Sequence, residues 1–98
     1  MDQRYFVKLS YDGTGFHGWQ RQPNAITVQQ TLEEAMLLIL RQPVRLTGAG
    51  RTDTGVHAAV FYAHFDMDLE PDQLMLSRLV YKLNSFLGPG IAIDRIFP

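Results

Sequence analysis

Apolar residues recur with two periods that alternate along this chain, and the alternation limits the possible folds more than any single motif does. Tyr5, Val7, Leu9 and Tyr11 alternate with Arg4, Phe6, Lys8 and Ser10, a period of two that predicts a half-buried strand with one apolar face. Val28, Leu32, Ala35, Met36, Ile39 and Leu40 then recur at helical spacing and predict an amphipathic helix. Thr27 and Gln30 read as a capping box at its start, and Arg41 suits the negative end of its dipole before Pro43 ends it. Val44 to Thr47 is a short strand candidate. Ala59, Phe61, Ala63 and Phe65 alternate with Val60, Tyr62, His64 and Asp66 and predict a longer strand, whose two fairly apolar faces suit a central place in a sheet or burial against another domain. Pro71 and Asp72 suit a second helix start, with Leu76, Leu79, Val80, Leu83 and Leu87 as its apolar stripe. Gly88-Pro89-Gly90 stops that helix, and Ile91 to Phe97 is apolar enough for a last strand.

The order strand, helix, strand, strand, helix, strand predicts an α+β fold of the ferredoxin-like β-α-β-β-α-β plan, with a four-stranded antiparallel sheet and two helices on one face. Its uncovered face, if aromatic or apolar, would bind RNA or another protein domain. At 98 residues the chain makes one domain with a single core. The formal net charge of -1 argues against a polybasic surface that holds nucleic acid by charge alone, so an RNA contact has to be local. The absence of cysteine excludes disulfides and thiolate chemistry and fits a reducing compartment. The longest apolar run, Ala35 to Leu40, is too short to cross a bilayer, and the N-terminus has no apolar core of signal-peptide length. The expectation is a soluble cytoplasmic protein without a membrane partner.

Chemistry-bearing residues concentrate between Gly48 and Ala58, where glycines, Arg51, Asp53 and His57 fall between two apolar runs. Gly48, Gly50 and Gly55 predict a tight loop that lets a substrate come near the main chain. Asp53 is either a turn residue bonding its own backbone or a working carboxylate. A second segment, Phe16 to Pro23, has aromatics, amides and a cation but no periodicity. Phe16 and Trp19 there either fold back as a lid on the core or join an RNA-contacting loop that supplies stacking and cationic groups. His17, His57 and His64 lack a zinc-binding spacing, and the glycine loop lacks the Lys-Ser/Thr that follows the last glycine of a P-loop.

Tyr11-Asp12-Gly13-Thr14, Phe16, Gly18-Trp19-Gln20, Val28-Gln29 and the run from Gly50 to Ala58 together resemble the bacterial tRNA pseudouridine synthase A family. The likeness extends over nearly all of the chain, through Ala63-His64-Phe65-Asp66 to Leu83-Asn84. It implies an isomerase that converts uridine to pseudouridine in the anticodon stem-loop of tRNA, with no cofactor and no metal. By this resemblance Asp53 is the catalytic carboxylate and nucleophile. A carboxylate suits the task because it can attack the ribose or the uracil ring, or take a proton from the sugar after the base departs, and all three routes stay open. Arg51 is a candidate for filling the space left by a flipped-out nucleotide, or for offsetting the desolvation of Asp53. Thr52, Gly55 and His57 on the same loop, and Phe16, Trp19, Gln20 and Arg21 on the other, are candidate RNA-binding residues, with His57 either bonding the loop or touching phosphate.

Family members resemble two fused ferredoxin-like halves around a cleft, and assemble as homodimers. Their second half supplies a tyrosine that stacks on the target uracil and a basic residue that pairs with the aspartate. This chain matches the first, aspartate-bearing half. The expectation is a first-half fragment that alone binds tRNA weakly and isomerises little or none. A noncatalytic RNA-binding module is the rival reading, since it would use strand aromatics and need no carboxylate in a glycine loop.

Overall fold

Burial along β1 (Gln3–Tyr11) alternates residue by residue, with Tyr5, Val7, Leu9 and Tyr11 buried. In the computed structural model, which describes residues 2–98, the remaining elements are α1 (Val28–Leu40), β2 (Thr47–Gly48), β3 (Ala58–Met67), α2 (Gln73–Leu87) and β4 (Ile91–Phe97). The strands form one four-stranded sheet in the order β2-β3-β1-β4, antiparallel at every pairing. This is the ferredoxin-like arrangement that the two periods predict, and β3 takes the central place its two apolar faces suggest. Phe61, Ala63, Phe65 and Met67 of β3 join the buried side chains of β1 and the stripes of α1 and α2 in one core, so both helices lie against the same sheet face.

The helix ends follow their local chemistry. Thr27 caps α1 by accepting the N–H of Gln30 at 3.3 Å, and Asp72 caps α2 by accepting that of Met75 at 2.9 Å. Arg41 closes α1 in the left-handed conformation (φ 60°), its own N–H donating to the Leu37 carbonyl, so its contribution at that end is a backbone one.

Two main-chain positions are satisfied by helix side chains rather than by strands. The strand expected over Val44 to Thr47 shortens to Thr47–Gly48 because Leu46 is already occupied. Its N–H donates to Glu33 Oε2 at 2.7 Å, and its carbonyl accepts from Gln29 Nε2 at 2.8 Å. Val44 and Leu46 still alternate inward, so the pattern is strand-like while the hydrogen bonds go to α1. Asn84 of α2 does the same for Ile93 of β4, accepting its N–H at 2.7 Å and donating to its carbonyl at 2.9 Å.

Register shifts interrupt both pairings of β1, and the one with β4 falls between Lys8 and Leu9. Pairing of β1 with β3 shifts register between Leu9 and Tyr11, so that Tyr11 faces Ala58, which bends β1 just before the Asp12 turn. The open face carries Phe6, Val60 and Tyr62 at 37%, 57% and 42% exposure. Among the described residues no helix is long and apolar enough to cross a membrane.

Leu83 is wholly buried between α2 and the sheet. Leu83→Ala is expected to destabilise the domain by about 2–5 kcal/mol through lost burial and an unfilled cavity. Urea unfolding checks this, and an unchanged midpoint would contradict the assigned core.

Candidate active site

The glycine-rich loop after β2 is held against the β1–α1 connection by main-chain contacts. The Thr52 carbonyl accepts the Trp19 N–H at 3.3 Å, and the Phe16 carbonyl accepts the Gly55 N–H at 3.1 Å. Both approaches need absent side chains. A Cβ on Gly18 would collide with the Thr52 carbonyl, and one on Gly13 with the Val56 carbonyl. Gly18 also sits at φ +83°, a conformation that favours glycine. The Tyr11 and Thr52 hydroxyls add a side-chain tie at 2.7 Å, and the Gly13 N–H donates to His57 Nδ1 at 2.8 Å.

Asp53 opens a four-residue turn in which its carbonyl accepts the Val56 N–H at 3.2 Å. Gly55 supplies the positive φ, +79°, that the third position of a type II turn requires. The residue before Asp53 is thus tied by its side chain and its carbonyl, and the turn after it is closed. The Asp53 side chain itself is exposed, and among the described residues no hydrogen bond or ion pair engages its carboxylate. The local-turn alternative, a carboxylate bonded to its own backbone, is what Asp12 does instead: its Oδ1 accepts the Thr14 N–H at 2.9 Å. That bond and the Thr14 hydroxyl, with a smaller contribution from His57, hold the Asp12 carboxyl below the usual carboxylate range. Arg51 is exposed and forms no ion pair with Asp53.

Two clefts flank the loop. One of about 370 Å³ is lined by Trp19, Gln20, Gln29 and the run from Leu46 to Arg51, and brings Gln20 and Arg51 onto one surface. The other, of about 460 Å³, lies over the β1 and β4 ends and includes Tyr11, Asp12, His57 and Gly90. Asp53 lies on the stretch between Arg51, which lines the first, and His57, which lines the second.

The aromatic and cationic candidates of the other loop divide sharply. Trp19 is only 2% exposed and packs on Phe61 with ring centroids 4.7 Å apart, so in this structure its ring belongs to the core and offers no face to a base. Phe16 is half-buried against the same core, beside Gly90. Arg21 is engaged by Glu33 at 3.0 Å, and its N–H by Gln29 Oε1 at 2.7 Å. Gln20 is exposed. Sequence reasoning assigned no role to Gln29 and Glu33, which tie the Arg21 segment and Leu46 to α1. Two polar residues four apart beside the buried stripe of α1 were the available signal.

The chain is similar along nearly its whole length to proteins named tRNA pseudouridine synthase A. It is 49% identical over 96 residues to that of Parabacteroides distasonis, covering 98% of this chain and 37% of the relative. It is 47% identical over 94 residues to that of Bacteroides fragilis, covering 96% and 36%. A 64-residue match with the Synechocystis protein reaches 56% identity. The chain therefore spans little more than a third of the length of the first two relatives. No protein-family model matches it.

The loop packing has a direct test. Gly18→Ala is expected to lower stability by about 1–3 kcal/mol, because both the left-handed backbone and the Thr52 carbonyl exclude a methyl group there. Gly50→Ala, where added atoms meet nothing within 4 Å, is expected to stay within about 0.5 kcal/mol of the parent. Equal urea midpoints for the two variants would contradict the packing.

Proposed function

We propose, taking homology to tRNA pseudouridine synthase A as the premise, that this chain is the aspartate-bearing part of such an enzyme. In this reading Asp53 is its catalytic carboxylate, acting on a uridine of the tRNA anticodon stem-loop. The observation that carries the reading is an exposed carboxylate with no partner among the described residues, on a loop whose flanking residues are tied down. Such a group costs little to bring onto a reacting atom, since neither a hydrogen bond nor a loop conformation has to be surrendered first.

The isomerisation breaks the bond between ribose and uracil nitrogen and forms one to carbon, so the carboxylate must act while the base is detached. Asp53 does so either as a nucleophile or as a base towards the sugar. A base stacked in a helix does not present its glycosidic bond, and Arg51, exposed beside the Gln20 cleft, is the proposed occupant of the space that the extruded nucleotide leaves. The charge that balances Asp53 during turnover comes from outside this domain, consistent with a cleft shared with a second half. Thr52 serves through its tie to Tyr11, and Gly55 through the turn. Of the other loop, Gln20 is the side chain best placed to touch RNA, with Arg21 contributing if its pairing with Glu33 yields to phosphate. The reading includes residence in the cytoplasm, where tRNA is, and a homodimer for the complete enzyme.

One observation favours the rival, an RNA-binding module using the open sheet face. Phe6 and Phe97 stack there at 5.7 Å, and the Arg95 guanidinium lies 4.2 Å over the Phe97 ring. The two readings separate in a chimera that joins this chain to the remaining length of the Parabacteroides distasonis relative. The chimera is expected to form pseudouridine in tRNA, and Asp53→Asn to reduce turnover by roughly a thousandfold or more with little change in tRNA affinity. Retained turnover would refute the assignment. In the same chimera Arg51→Ala is expected to slow reaction on folded tRNA by about tenfold more than on an unstructured RNA carrying the same uridine; equal losses would remove Arg51 from the flipping step.

A further inference from the structure

His57 lies 2.8 Å from the Gly13 nitrogen and 3.0 Å from Asp12 Oδ1, and both distances are to the same atom, Nδ1. One nitrogen cannot accept a proton from a backbone N–H and donate one to a carboxylate at once. The two contacts therefore belong to two protonation states. With Nδ1 unprotonated, imidazole accepts from Gly13 and carries its proton on Nε2. With Nδ1 protonated, the Gly13 N–H faces another N–H and the favourable partner is Asp12.

We propose that His57 is a positioning residue for the Asp53 loop: neutral imidazole latches the loop to the β1–α1 turn through Gly13, and protonation exchanges that latch for an ion pair with Asp12. The link to catalysis rests on the reading of Asp53 given above; the latch itself does not. Gly13 is buried and its Cβ position is taken by the Val56 carbonyl, so its N–H has to find an acceptor within the protein. His57 is that acceptor. Asp12 already accepts the Thr14 N–H at Oδ1, and it is the carboxylate that shares the His57 cleft. Tyr11, also in that cleft, is engaged with Thr52. The loop's own charged groups, Arg51 and Asp53, have no side-chain partner among the described residues.

The sign follows from the partners. The latch is complete above the His57 midpoint and is withdrawn as pH falls through it, while the Asp12 pair grows. Releasing the latch leaves the buried Gly13 N–H without its acceptor, so the turn there has to open to water, which loosens the His57 end of the loop.

The test is nitrogen-15 NMR on the 98-residue chain. At pH 8 the His57 ring is expected to show a protonated Nε2 and an acceptor Nδ1. On acidification the Gly13 amide is expected to shift with the same midpoint as His57, and its protection from hydrogen exchange to fall about tenfold per pH unit below it. His57→Asn, whose side-chain oxygen stands where Nδ1 does but does not titrate, is expected to keep Gly13 protected across the range. His57→Gln, which reaches the Nε2 position instead, is expected to lose protection at every pH. A proton on Nδ1 at pH 8, a Gly13 amide indifferent to the His57 titration, or equal behaviour of the two variants would each overturn the proposal. None of these readouts involves turnover, so they stand or fall separately from the role of Asp53.

Discussion

The Thr52 carbonyl occupies the place that a side chain at position 18 would take, and the geometry of the candidate site depends on that approach. It allows the Trp19 N–H to reach the oxygen, and it brings the chain segment before Asp53 against the turn after β1. The bulge that ends the β1 and β3 pairing sets Tyr11 opposite Ala58, and its hydroxyl meets Thr52 from that position. A loop secured by main-chain bonds and one buried tyrosine has little freedom to lose when a substrate arrives. The exposed carboxylate of Asp53, with no partner among the described residues, then stands on a support made rigid around it.

Part of the support lies outside both loops. Gln29 and Glu33 take both hydrogen-bonding groups of Leu46 and also hold Arg21. The strand entering the glycine loop and the connection leaving Trp19 are thereby fastened to the same two turns of α1. Asn84 gives β4 an equivalent tie to α2. These amide and carboxylate side chains replace ladder partners, which is why the edge next to the site is a two-residue strand with a buried Val44 and Leu46 leading into it.

Most of the architecture was legible because it is written in periods. The stripes of α1 and α2, the cap at Thr27, and the alternation in β1 and β3 all follow from local spacing that tertiary packing reinforces, whereas Asp72, expected as an acid inside the first turn of α2, stands ahead of it as the N-cap. The shortening of β2 was not, since alternation at Val44 and Leu46 reports burial but not who supplies the hydrogen bonds. The loop composition likewise named Trp19, Phe16 and Arg21 without saying which way each faces. Burial decided the first, partial burial the second and Glu33 the third, and all three depend on residues distant in sequence. Asp53 and Gly55 were visible as a turn, whereas the value of Gly13 and Gly18 lies in carbonyls about 35 to 45 positions further on that no local pattern reveals.

The central claim is that the Asp53 loop is already fixed in the free protein. Hydrogen exchange of the Trp19 and Gly55 amides in the unbound chain tests it most directly, because each donates across the two loops. The account predicts slow exchange for both, well below the rate of an open loop. Exchange at the rate of an unstructured peptide would mean that the loop is not held in place and that the contacts described here do not position Asp53.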